Sequence, residues 1–153
     1  MITVILISPK DEFNVAQSLR NLAELAGDEP AKLVVVNRRY VPATGEKGDR
    51  KPRPFRMKAY DHVQVEYHES IPNWAYLDSG RTVVVECLDW ATSLPTFKHP
   101  KNPIYIFGPE DGNIPKWIIE KTKKYVKVET LECLNLAMAV GIVIYDKKIN
   151  RQA

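Results

Sequence analysis

The sequence predicts a single-domain α/β protein, residues 1–153, built on a mainly parallel sheet flanked by helices. Three observations carry that prediction. The runs Thr3–Ile7, Leu33–Val36, Thr82–Cys87 and Ile104–Phe107 are almost continuously apolar, as in strands buried on both faces. Helical periodicity or helix-start signals separate several of them. A chain of 153 residues is one domain's worth and buries about two-thirds of its unfolded surface, enough for a sizeable core.

Each element follows in order. Thr3–Ile7 is a first buried strand, stopped by Ser8-Pro9. Phe13, Ala16, Leu19, Leu22, Ala23 and Ala26 recur at helical spacing, with Gly27 as the stop and Asn14 or Asp11 as the starting cap. Leu33–Val36 is the second strand. Three prolines and two glycines between Asn37 and Pro54 mark an excursion away from the sheet, followed by a short helical stretch over Phe55–His62. Mixed sequence runs on to Asp78. Thr82–Cys87 and Ile104–Phe107 are the next strands. Pro115 suits the first position of a helix over Lys116–Lys124. Tyr125–Val128 alternates as a short strand, and Leu134–Ile149 reads as a final, mostly buried helix.

Composition narrows the function. The longest apolar run, Leu134–Tyr145, is twelve residues and contains Asn135, too short to span a bilayer. No signal-type segment opens the chain, and Cys87 and Cys133 have neither metal-ligand nor disulfide-framework spacing. A reducing, cytoplasmic compartment is expected, with no membrane and no metal. Net charge is +3, but it is unevenly spread. Between residues 38 and 58, eight lysines and arginines stand against Glu46 and Asp49, so this loop is +6 and the remainder −3. Arg38, Arg39, Arg50, Lys51 and Arg53 are the residues such a loop would offer to an RNA backbone. A solvated loop serving solubility is the ordinary alternative.

In an open parallel sheet, ligands bind past the carboxyl ends of the strands. Three segments fall there. Asn14–Asn21 lies on the helix after the first strand and includes Arg20, which an ordinary surface position would also explain. Phe107-Gly108-Pro109-Glu110-Asp111-Gly112-Asn113-Ile114-Pro115 joins a strand end to a helix start and holds more turn residues than a simple connection needs. Leu131–Tyr145 carries Asn135 at the start of a helix too apolar to stand in water, so its amide needs a cap role or a ligand. No GxG pattern and no GxxxxGK[ST] is present. Gly45-Glu46-Lys47-Gly48 matches the GxxG of KH-type RNA-binding loops, too short a match to carry an assignment.

Together the three segments resemble, in order and spacing, the three motifs of the SPOUT superfamily, specifically the TrmH-like (SpoU) RNA ribose 2′-O-methyltransferases. Asn14…Arg20-Asn21 is similar to the first motif and Gly108-Pro109-Glu110 with Gly112-Asn113-Ile114-Pro115 to the second. Cys133-Leu134-Asn135 through Gly141–Tyr145 is similar to the third. The chain is most similar to the minimal members that methylate the tRNA wobble nucleotide. It departs from the pattern at Ala16 and Asn113, where glycine is frequent, and at Cys133, where serine is common.

The resemblance implies a C-terminal trefoil knot, a homodimer, and S-adenosylmethionine as cofactor. It implies cofactor contacts from Phe107, Gly108, Pro109, Glu110, Val128, Leu131, Cys133, Leu134 and Asn135. Arg20, Asn14, Glu110 and Asn135 are the implied catalytic set, with Arg20 reaching the target ribose across the dimer interface. The RNA is expected to be transfer rather than ribosomal. A guanidinium has a pKa above about 12 and only donors, so Arg20 suits phosphate binding and alkoxide stabilisation better than proton abstraction. Two readings compete: a non-catalytic RNA-binding protein of α/β fold, and a SPOUT base methyltransferase.

Overall fold

The computed structural model describes residues 1–132 and 134–150. Its elements are β1 (Ile2–Ile7), α1 (Glu12–Ala26), β2 (Ala31–Val36), α2 (Arg53–Arg56), β3 (Gln64–His68), β4 (Thr82–Val85), β5 (Thr92–Ser93), β6 (Ile104–Phe107), α3 (Lys116–Lys121), β7 (Lys124–Lys127) and α4 (Leu136–Ile149), with short 3-10 turns between some of them. The strands form one sheet in the order β3-β2-β1-β6-β4-β7-β5, and every pairing is parallel.

The pleat sorts the strand residues onto two faces. Val4, Leu6, Leu33, Val35, Val83, Tyr105 and Val126 join Leu19, Leu22, Val140 and Val143 of α1 and α4 in one core cluster. Ile5, Ile7, Val34, Val84 and Ile106 face the other way, against Ile114, Ile118 and Ala75. Each fully buried aliphatic side chain stabilises the fold by roughly 1.5–3 kcal/mol. A buried network ties the two ends of the first face together. His99 Nδ1 lies 2.6 Å from Tyr105 Oη and Nε2 lies 2.7 Å from Asp146 Oδ2, linking β6 to α4.

Several expectations need correction. The strand β3 falls in the stretch read as mixed sequence, and the two-residue β5 has no sequence signal. The helix expected over Phe55–His62 is one turn, α2, followed by a 3-10 turn at Lys58–Tyr60. The third apolar strand stops at Val85, not Cys87. Helix α3 ends at Lys121 because the backbone turns extended at Thr122, whose N–H and hydroxyl still cap the Ile118 carbonyl at 3.0 and 2.7 Å. Of the two candidate caps for α1, Asp11 does the capping, accepting from the Phe13 N–H at 2.8 Å, which leaves Asn14 for another role. The last helix begins at Leu136, two residues later than expected, with Asn135 as its cap. It is also not buried throughout: Met138, Tyr145 and Ile149 are each more than half exposed.

Candidate active site

The carboxyl ends of β4, β6 and β7 open onto a cleft of about 350 Å³. Val85, Phe107, Val128, Leu134, Leu136 and Ala139 give it apolar walls, and residues 108–113 form its rim. The rim loop is folded tightly on itself. A Cβ at Gly108 would stand 3.1 Å from the Ile114 amide nitrogen and side chain, so only glycine fits without pushing the loop open. Buried Ile114 anchors the far end of the loop in the second core cluster.

Glu86, just past β4, also lines the cleft and accepts a hydrogen bond from the Ile114 N–H at 3.1 Å. Burial holds its carboxyl above the usual carboxylate range, opposed in part by the Ile114 and Cys87 amides. Neither Glu86 nor Thr130, another lining residue, stands out in sequence. The available signal was a charged residue at the end of an apolar strand, where ligands of parallel sheets bind.

Three side chains distant in sequence meet beside this cleft: Asn14 lies 96 residues from Glu110 and 121 from Asn135. Asn14 Nδ2 donates to Glu110 Oε2 at 3.1 Å, and Asn135 Nδ2 donates to Asn14 Oδ1 at 3.0 Å. The second Glu110 oxygen accepts from the Lys10 N–H at 3.1 Å, while Asn135 Oδ1 caps α4 through the Met138 N–H at 3.2 Å. The relay therefore ties α1, the rim loop and the start of α4 into one unit. Deeper along the same helix pair, Asn21 Nδ2 donates to the Ala137 carbonyl at 2.8 Å, its side chain packed beside Gly141.

A second clamp holds the rim from outside. Arg39 grips Asp111 with two bonds of 3.1 and 2.5 Å, and its Nε donates to the Ser8 carbonyl at 2.9 Å. The Asp111 carboxyl is held below its usual range chiefly by that guanidinium. Ser8 and Asn37, both in the left-handed region at φ 49° and 52°, turn the chain at the ends of β1 and β2 so that this grip is possible.

The remaining expected site residues are scattered. Phe107, Gly108, Pro109, Glu110, Val128 and Leu134 line the cleft, whereas Leu131 is fully exposed and does not. Cys133 lies outside the described residues. Arg20 is exposed on another side of α1, near Tyr60 and Glu24, and does not line the cleft of its own chain. In the basic loop, Arg50 and Arg53 are exposed, and the Lys51 amine donates to the Ala43 carbonyl at 2.7 Å. Arg39 is committed to Asp111, and Arg38 lies over the rings of Tyr67 and Tyr40. No cluster of metal-ligating side chains occurs among the described residues.

A larger groove, about 990 Å³, runs between α1 and α4. Its lining is mostly apolar, including Phe13, Leu25, Met138, Ile142, Tyr145 and Ile149, and Asn135 stands at its border with the relay. Its chemistry is that of a contact surface, and the polar groups able to orient a ligand converge instead on the smaller cleft.

On fold and cleft alone, this is an α/β protein that holds its ligand past the carboxyl ends of a parallel sheet. The model of the SpoU rRNA Methylase family matches residues 1–145, and the chain belongs to that family. Solved structures share the fold. One, described as giving structural insights into the 2-OH methylation of C/U34 on tRNA, is 19% identical with a TM-score of 0.73, covering 99% of this chain and 98% of its own. The SpoU methyltransferase AviRb from Streptomyces viridochromogenes, in complex with AdoMet, is 15% identical with a TM-score of 0.73 over 99% of this chain and 60% of its own. The A. aeolicus TrmH/SpoU tRNA modifying enzyme is 16% identical, again at 0.73, over 98% of this chain and 75% of its own. No curated protein matches the chain.

Proposed function

We propose that this SpoU-family protein is an S-adenosylmethionine-dependent RNA ribose 2′-O-methyltransferase, acting on tRNA as a homodimer. The observation that carries the reading is the Asn14–Glu110–Asn135 relay, which joins all three motif segments beside one cleft. The cleft fits the cofactor in kind. It has apolar walls for an adenine ring, main chain along 108–113 for polar edges, and the carboxylates of Glu86 and Glu110 for a cationic group. When bound, S-adenosylmethionine supplies a methyl group already activated by its sulfonium.

The residues of the chain then have positional work to do, since orientation alone removes much of the barrier to such a transfer. Glu110 and the two asparagines hold the rim loop against α1 and α4. Glu86 holds the other end of the same loop through Ile114. Arg20, too far around α1 to serve its own cleft, is supplied across the interface of the dimer. There it binds the phosphate beside the target ribose and stabilises charge developing on the 2′-oxygen. The apolar α1–α4 groove, with Phe13, Met138, Tyr145 and Ile149 exposed along it, supports a second copy of the chain as its cover. A C-terminal trefoil knot is part of the proposal; β7 lying between β4 and β5, two strands already joined through residues 86–91, supports it. The basic loop of residues 38–58 grips the RNA backbone, chiefly through Arg50, Lys51 and Arg53.

The test is transfer of labelled methyl groups from S-adenosylmethionine to total tRNA. Label in the RNA is the expected result, and its absence with cofactor bound, as measured by calorimetry, overturns the reading.

A further inference from the structure

Arg38 begins the basic loop, yet its setting differs from that of the other loop cations. Its Cζ lies 4.5 Å from the Tyr67 ring centroid and 5.8 Å from that of Tyr40, and the residue stays exposed. It forms no ion pair among the described residues, whereas its neighbour Arg39 is clamped to Asp111 on the cleft rim. Tyr67 stands on the edge strand β3 opposite Val35, and its ring is 46% exposed. Tyr40 backs the group from inside, with its hydroxyl oxygen buried and without a hydrogen-bond partner. Two rings thus flank one exposed cation, one residue along the chain from the Arg39 that grips Asp111 on the cleft rim.

A guanidinium lying over an aromatic ring presents a flat, weakly hydrated face. It is a good stacking surface. Guanidinium planes and aromatic rings are what single-stranded RNA-binding proteins use to hold unpaired bases. We propose that Arg38, supported by Tyr67 and Tyr40, is a stacking platform for an unpaired nucleobase next to the methylated nucleotide. This rests on the RNA-methyltransferase reading above and adds a base contact to the backbone contacts of Arg50, Lys51 and Arg53. The preference it creates is for RNA whose target lies in a loop rather than a duplex, because a paired base has no free face.

The probe is an RNA hairpin with an all-uridine loop, compared with the same hairpin carrying an abasic loop. Binding to the full-length protein is followed by fluorescence anisotropy at several salt concentrations. Arg38→Lys keeps the charge and loses the plane. It is expected to weaken binding of the uridine-loop hairpin by about 5- to 100-fold, the range of one stacked base, with the salt slope unchanged. The abasic hairpin is expected to bind wild type and Arg38→Lys equally. Tyr67→Phe keeps wild-type affinity and Tyr67→Ala behaves like Arg38→Lys. Equal losses on both hairpins, or no loss on either, overturn the platform and leave the methyltransferase reading standing. Failure of the wild type to bind either hairpin in the presence of S-adenosylmethionine overturns both.

Discussion

Glu110 shows how a single side chain organises this site: one oxygen holds Asn14 and the other holds the main chain at Lys10. Arg20 has the opposite character, exposed and remote from the cleft of its own chain. Replacing it with alanine should therefore leave the fold nearly untouched, within about 0.5 kcal/mol by denaturant unfolding. Methyl transfer should fall by about 10²- to 10³-fold or more, the loss typical of removing one charge-stabilising donor. S-adenosylmethionine affinity by calorimetry should not change, and near-wild-type turnover would remove Arg20 from the mechanism. Glu86 gives a pH-dependent prediction. Burial raises its folded-state pKa, so the folded state holds its proton more tightly than the unfolded chain does. Its contribution is most favourable below the ordinary glutamate range, about 4.3, and is lost as pH rises through the raised folded value. Glu86→Gln cannot ionise, so its stability relative to wild type should increase across that window and then level off. Denaturation series on both proteins at several pH values would check it, and a constant difference would contradict it.

At the scale of elements, the basic loop and the last helix carry the predictions. Neutralising Arg50, Lys51 and Arg53 together should lower the slope of log affinity against log salt by about 2–3, since each phosphate contact contributes roughly 0.7–0.9. An unchanged slope in filter-binding titrations would return the loop to a solubility role. The same scale explains what sequence could reveal. Strands β1, β2, β4 and β6 occupy the middle of the sheet, are apolar on both faces, and are legible as continuous runs. Strand β3 reads Gln-Val-Glu-Tyr-His because it is an edge, with Glu66 serving Lys32 and His68; its signal is a five-residue alternation in which only Val65 and Tyr67 are apolar, rather than a continuous apolar run. Strand β5 is two residues and exists only through its pairing with β7. In the site, Asn14, Glu110 and Asn135 were legible from motif order, but their hydrogen bonding to one another was not. Glu86 was hidden because its importance comes from the Ile114 amide brought to it by the fold. The apolar character of α4 suggested a mostly buried helix, whereas Met138, Tyr145 and Ile149 are each more than half exposed, which composition alone does not reveal.

For the whole molecule, the groove between α1 and α4 sets the assembly expected of it. Met138 is 55% exposed there, so Met138→Glu should fold normally while placing an unpaired charge in the interface. Sedimentation analysis should find a dimer for wild type and a monomer for this variant, with methyl transfer lost because Arg20 no longer reaches a cleft. A fully active monomer would contradict the shared site. Such a dimer would carry two copies of the basic loop and two clefts. The activity proposed for this core is methylation of a ribose 2′-hydroxyl of tRNA. The most direct test is nucleoside mass spectrometry of unmodified tRNA after incubation with the protein and isotopically labelled S-adenosylmethionine. Label in the ribose of a single loop nucleotide is expected; label on a base, or none in any nucleoside, would rule this activity out.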